Sequence, residues 1–167
     1  VTETNLVQIA LNNELCQKAT YVRKFKFEEV NCTNWDDIYS KWIKTIPKGH
    51  GVYIFSTKDK VIYIGLSGKV RKWPISPVWD IKKRLKASRG IDGSGTDIST
   101  VNFIKQIVTT GRTDIKRYNE INVGVLKEFH ITVLFTESKV PPSYLEAFLL
   151  YEYLKKNDEL PRFNLSF

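Results

Sequence analysis

A chain of 167 residues with 42% hydrophobic and 13% aromatic content can bury one core without disulfide or metal staples. It contains no run of about 18 apolar residues, which excludes a membrane-spanning helix. Its two cysteines, Cys16 and Cys32, form no Cys-x-x-Cys pair and have no neighbouring histidine, which argues against a disulfide framework and a zinc site. Lys and Arg number 26 against 18 Asp and Glu, a net charge of +8, and the whole excess falls between Lys58 and Arg89. A concentrated basic block is the footprint expected for a polyanionic partner. A solvated helix face beside a basic loop is the plainer account of the same residues. The cysteine usage and the absence of a basic-then-apolar leader at the amino end lead to the expectation of a reducing, cytoplasmic setting.

In chain order, Leu6 to Leu15 reads as a short helix and Tyr21 to Glu28 as a partly alternating strand. Trp35, Ile38, Tyr39, Trp42, Ile43 and Ile46 fall at helical spacing, with Thr33 or Asn34 as the cap and Pro47 as the stop. Gly51 to Phe55 and Lys60 to Leu66 are β-rich runs joined by a short polar turn, a hairpin signature. A loop from Ser67 to Pro77 follows, and Val78 to Ser88 reads as a helix with its basic residues on one side. Ile98 to Thr109 suggests another helix. Phe129, Ile131, Val133 and Phe135 alternate as a strand, and Pro142 to Lys156 closes the pattern as a helix with Ser143 near its start. This order predicts an α+β fold: a small antiparallel or mixed sheet flanked by helices. One compact domain is expected, with residues 1–48 an extension bearing an amphipathic helix and residues 49–167 the functional unit.

Four short patterns then stand in sequence: Gly51-Val52-Tyr53, Tyr63-Ile64-Gly65, Asp80-Ile81-Lys82-Lys83-Arg84-Leu85, and Leu145-Glu146-Ala147-Phe148-Leu149-Leu150, before the closing Pro161-Arg162-Phe163-Asn164. Each alone is weak. Together, over Gly49 to Asn164, they resemble the GIY-YIG nucleases, a superfamily that includes homing endonucleases, the amino-terminal nuclease of the bacterial excision-repair incision enzyme and several type II restriction enzymes. The resemblance implies a metal-dependent DNA endonuclease with one divalent ion per site, Mg²⁺ with Mn²⁺ as a substitute, and Glu146 as its ligand. It implies catalytic roles for Tyr53, Tyr63, Arg84 and Glu146, and a supporting hydrogen-bonding role for Asn164.

Those residue types suit the chemistry on physical grounds too. Hydrolysing a phosphodiester needs a group to activate water, a cation to neutralise charge on the phosphoryl oxygens, and help for the leaving oxygen. Tyr53 and Tyr63, on adjacent strands, can share one sheet face; otherwise they are ordinary strand aromatics. The Arg84 fork suits a phosphate better than Lys82 or Lys83 does; otherwise the helix is a plain phosphate anchor. Glu146 is a lone acid among apolar neighbours, which a hard cation would compensate; otherwise it is a solvated helix position. Asn164 is otherwise a cap in the tail.

The chain departs from the family where many members carry a histidine or tyrosine one turn after the arginine, for here Ser88 stands. Lys69 or Lys72 in the preceding loop is the expected replacement, with His50 the next candidate. Lys69, Arg71, Lys72, Lys82, Lys83, Lys86 and Arg89 are the expected DNA-binding residues, with Trp73, Trp79 and Arg112 to Tyr118 as candidates for sequence readout. The leading function is a type II restriction endonuclease acting on double-stranded DNA as a homodimer, without a small-molecule cofactor or membrane contact. The alternatives are a structure-specific repair or recombination nuclease and a non-catalytic nucleic-acid-binding module.

Overall fold

A computed structural model describes residues 2–16, 23–26, 40–57, 60–67, 81–86, 130–137, 139–162 and 164. Helix α1 spans Glu3–Asn12, three residues earlier than the apolar spacing suggests. The cause is local: Thr2 Oγ1 accepts from the Asn5 N–H while Asn5 Oδ1 accepts from the Thr2 N–H, a capping box with asparagine in place of the usual Glu or Gln. The helix stops at Asn13, and Glu14 turns the chain through a left-handed conformation at φ 56°.

Four strands follow: β1 (Arg23–Lys26), β2 (Gly51–Ser56), β3 (Val61–Ser67) and β4 (His130–Phe135). They form one sheet in the order β1-β4-β2-β3, with every pair antiparallel. The expected hairpin is β2–β3, closed by the Thr57 N–H donating to the Lys60 carbonyl at 2.8 Å. A register irregularity separates Phe55 from Ser56.

Every residue of β2 and β4 is buried, so these strands are covered on both faces. One face presents Val52, Ile54, Ile64 and Leu134. It packs against Leu6, Val7 and Ala10 of α1 and against Leu145, Leu149, Leu150 and Tyr153 of helix α3 (Pro142–Asn157). Residues of the opposite parity (Tyr53, Phe55, Tyr63, Ile131 and Val133) lie on the other face. There, helix α2 (Ile81–Lys86) contacts β2, β3 and a 3-10 turn at Ile43–Thr45. The result is an α+β arrangement of an antiparallel sheet between helices. Burying each large side chain such as Leu6 contributes roughly 1.5–3 kcal/mol, and β1 pairs along β4. The first 48 residues therefore supply a helix and a strand to the same core.

The end of the expected Trp35–Ile46 helix is helical at Ser40 and Lys41, tightens into the 3-10 turn, and is extended at Ile46 (φ −70°, ψ 137°). The following Pro47 sterically disfavours a helical Ile46. The predicted helix over Ile98 to Thr109 lies outside the described residues. Helix α3 begins with Pro141 as cap and Pro142 in its first turn, with Ser143 near its start as expected. Among the described residues, no helix is long and apolar enough to cross a membrane.

Candidate active site

The two motif strands place their aromatic rings together. Tyr53 pairs with Gly65, and Phe55 with Tyr63. The Tyr53 and Tyr63 ring centroids lie 6.2 Å apart, with Phe55 at 5.5 Å from Tyr53 and 6.0 Å from Tyr63. Gly65 is needed for space: a Cβ at that position would sit 2.6 Å from Tyr53 Cζ and 2.7 Å from its Oη. The Tyr53 ring therefore lies flat across the neighbouring strand, in a slot only glycine leaves open. Treated as separate strings, the two motifs gave no hint of this contact, although glycine opposite an aromatic in a hairpin is a readable signal.

Burial separates the two phenols. Tyr53 is fully buried, whereas Tyr63 is half-buried on the outermost strand. Only Tyr63 is exposed enough, as the chain stands, to meet an outside molecule.

Helix α2 rests on this aromatic side. Ile81 and Leu85, four residues apart, are both fully buried and pin the helix down. The Ile81 N–H donates to the Gly49 carbonyl at 2.9 Å, tying the helix start to the residues that lead into β2. Arg84 occupies the position just before Leu85 in this helix, and Lys82 is half-buried.

Asn164 reaches the same hairpin from 100 residues further along the chain. Its Oδ1 accepts from the Ile64 N–H at 2.9 Å and its Nδ2 donates to the Ile64 carbonyl at 2.8 Å. Ile64 is the middle residue of Tyr63-Ile64-Gly65, and both of its main-chain groups face away from β2. The amide side chain does there what another strand would do. An Asn164 N–H bond to the Pro161 carbonyl at 2.8 Å holds the tail in place.

Glu146 is half-buried on α3, between the buried Leu145 and Leu149. Because α3 packs on the face opposite the tyrosines, a carboxylate there meets the phenol side only past the edge or the ends of β3. A single carboxylate with waters and substrate oxygens is a normal donor set for Mg²⁺, so Glu146 suits that ion without a cluster. Among the described residues, no group of three or more His, Cys, Asp or Glu gathers. Lys69, Arg71, Lys72, Ser88, Arg89, Trp73, Trp79 and Arg112 to Tyr118 lie outside the described residues. His50 is exposed, and its carbonyl accepts from the Thr136 N–H at 3.2 Å.

Two titrating groups in the other layer are shifted by burial. The Tyr153 phenol and the Cys16 thiol are both held above their ordinary values by desolvation, with the charge of Glu137 adding to the effect at Cys16. A third polar feature has no signature in local spacing: Glu3 is 3% exposed, and its carboxylate accepts from Thr132 Oγ1 at 2.9 Å.

No family model, curated protein or solved structure matches the chain.

Proposed function

We propose that this protein is a metal-dependent DNA endonuclease of the GIY-YIG type, and specifically a restriction enzyme that cuts double-stranded DNA as a homodimer. The observation that carries this reading is the convergence of distant motifs on one hairpin. Tyr53 lies in the slot above Gly65, Tyr63 lies beside it with the two rings tilted by 44°, and Asn164 clamps Ile64, the residue between Tyr63 and Gly65. Chance matches to short strings have no reason to interlock in space.

Within this reading the two tyrosines differ in role. Tyr63, with its partial exposure, orients the attacking water, while the buried Tyr53 is a positioning residue that fixes Tyr63 and the β3 backbone. Arg84 meets the phosphoryl oxygens with its guanidinium fork. Glu146 would hold a Mg²⁺ ion, which would supply charge neutralisation on those oxygens. The basic block from Lys58 to Arg89 supplies the long-range attraction for DNA.

The test is a plasmid digest in Mg²⁺ and in EDTA. Discrete fragments that appear only with the metal support the restriction reading. A smear points to a nuclease without sequence preference. DNA binding without any cutting in Mg²⁺ or Mn²⁺ overturns the enzymatic reading in favour of a binding module.

A further inference from the structure

A cleft of about 420 Å³ opens beside the start of β2, away from the tyrosine rings. One wall is the Lys48-Gly49-His50 segment and the other is formed by Thr136, Glu137, Lys139, Val140, Pro141 and Pro142. The two walls are tied together, since the Thr136 N–H and Oγ1 both donate to the His50 carbonyl. The turn is held by the Val140 N–H donating to the Glu137 carbonyl at 2.9 Å and stiffened by Pro141 and Pro142. Phe135 forms the floor: its ring is so close to Gly49 that a Cβ there would lie 2.5 Å from two ring carbons.

Its rim is cationic. Lys48, His50 and Lys139 are all exposed at the mouth. Glu137, the one carboxylate in the lining, is half-buried, and its charge acts on the buried Cys16 thiol behind the wall. Two ammonium groups and an imidazole thus face solvent over a rigid apolar floor. Such a rim suits a phosphate, and the floor suits the sugar attached to it.

The recess is also well placed. His50 is five residues from Phe55, the strand partner of Tyr63, about 17 Å along an extended chain at the rise of a β-strand. Gly49, in its wall, also accepts the hydrogen bond that seats α2, the helix of Arg84. We propose that this cleft is a second phosphate subsite, taking a backbone phosphate of the bound DNA away from the tyrosine rings. The proposal deepens the nuclease reading and rests on it for the identity of the polyanion.

The experiment compares the full chain with Lys48→Ala/Lys139→Ala and with the control pair Lys155→Ala/Lys156→Ala. The control loses the same charge at the far end of α3, about 20 Å away at 1.5 Å per residue. All four lysines are exposed, so folding is not at issue. DNA affinity is measured by fluorescence anisotropy over a salt series, and single-turnover cleavage at saturating DNA in Mg²⁺. The cleft pair is expected to reduce the slope of log affinity against log salt by about 0.9, the value for one lost phosphate contact. The control is expected to change it by less than half a unit, and the saturated cleavage rate is expected to stay within about twofold of the parent for both.

If the cleft pair behaves like the control while the parent binds and cuts, the subsite is wrong and the nuclease reading stands. If the cleft pair alone flattens the salt slope but the parent never cuts, the subsite stands and the nuclease reading fails. If the parent does not bind DNA, both fall.

Discussion

Replacing Gly65 with alanine probes the contact on which the candidate site is built. The added methyl would lie 2.6–2.7 Å from Tyr53 Cζ, Cε2 and Oη, against 3.4–4 Å for ordinary contact, so the ring must retreat by about 0.8 Å or more. It has little room to do so, because Tyr53 is fully buried and its ring already packs against Phe55 and Tyr63. Overpacking of this kind costs roughly 1–3 kcal/mol. The backbone at Gly65 is not in the left-handed region, so alanine also restricts the unfolded chain and returns about 0.4–1 kcal/mol. The net loss is about 1–2 kcal/mol, a fall in Tm of about 2–8 °C for a domain of this length. Urea unfolding followed by tryptophan fluorescence should show a lower midpoint with an unchanged slope. Adding Tyr53→Leu should then couple favourably with Gly65→Ala by at least about 0.5 kcal/mol in a double-mutant cycle. A Gly65→Ala chain as stable as the parent would refute the argument, because the ring would then have been free to move.

Asn164→Ala strips both partners from Ile64 at the strand edge and should cost about 1–3 kcal/mol; Asn164→Asp, which keeps only the acceptor, should cost nearly as much, and equal urea midpoints for all three chains would show the clamp to be idle. Glu146→Gln should abolish cleavage and leave DNA affinity intact, and near-normal cutting at millimolar Mg²⁺ would remove the metal assignment. Arg84→Lys should lower the cleavage rate by orders of magnitude with little change in affinity, while Lys86→Ala weakens binding in a salt-dependent way; equal losses of affinity and unchanged turnover in both would reduce Arg84 to an anchor. In a Cys32→Ala background, Cys16 should react slowly with alkylating reagents until the chain unfolds. Because the folded state raises the Cys16 and Tyr153 values, it binds their protons more tightly than the unfolded chain does. Their contribution to stability is therefore complete at neutral pH and is lost as pH rises through the alkaline range. Stability that increases above pH 9 would contradict that sign.

The elements with strong periodicity were legible almost to the residue. Helix α3 was expected over Pro142 to Lys156 and runs to Asn157, and strand β4 begins one residue after the expected Phe129. Here pattern and tertiary burial agree, since Leu145, Leu149 and Tyr153 all point into one layer. Helix α1 was misplaced because its start is fixed by the Thr2–Asn5 exchange of hydrogen bonds and not by apolar spacing. The partner choices were out of reach of local pattern: nothing in Arg23–Lys26 announces pairing with β4, more than 100 residues away. Within the candidate site, the shared face of Tyr53 and Tyr63 follows from strand parity, whereas the two hydrogen bonds of Asn164 to Ile64, 100 residues away, follow from no local pattern. The burial difference between the two tyrosines depends on what packs over the sheet, which no pairwise spacing encodes.

The grip of Asn164 on Ile64 also bears on how two copies of this chain can assemble. Among the described strands, in the order β1-β4-β2-β3, the outer edge of β3 is one of two edges where the sheet could continue into a second molecule. Exposed strand edges invite such pairing, and with it both dimers and aggregates. At Ile64 the donor and acceptor that a visiting strand would need are already taken by a side chain of the same molecule. A strand arriving there must first evict the tail, so a continuous intermolecular sheet through β3 is disfavoured. Among the described residues, a second copy seeking to extend the sheet therefore meets a blocked edge at Ile64 and is left the β1 edge or the helical surfaces.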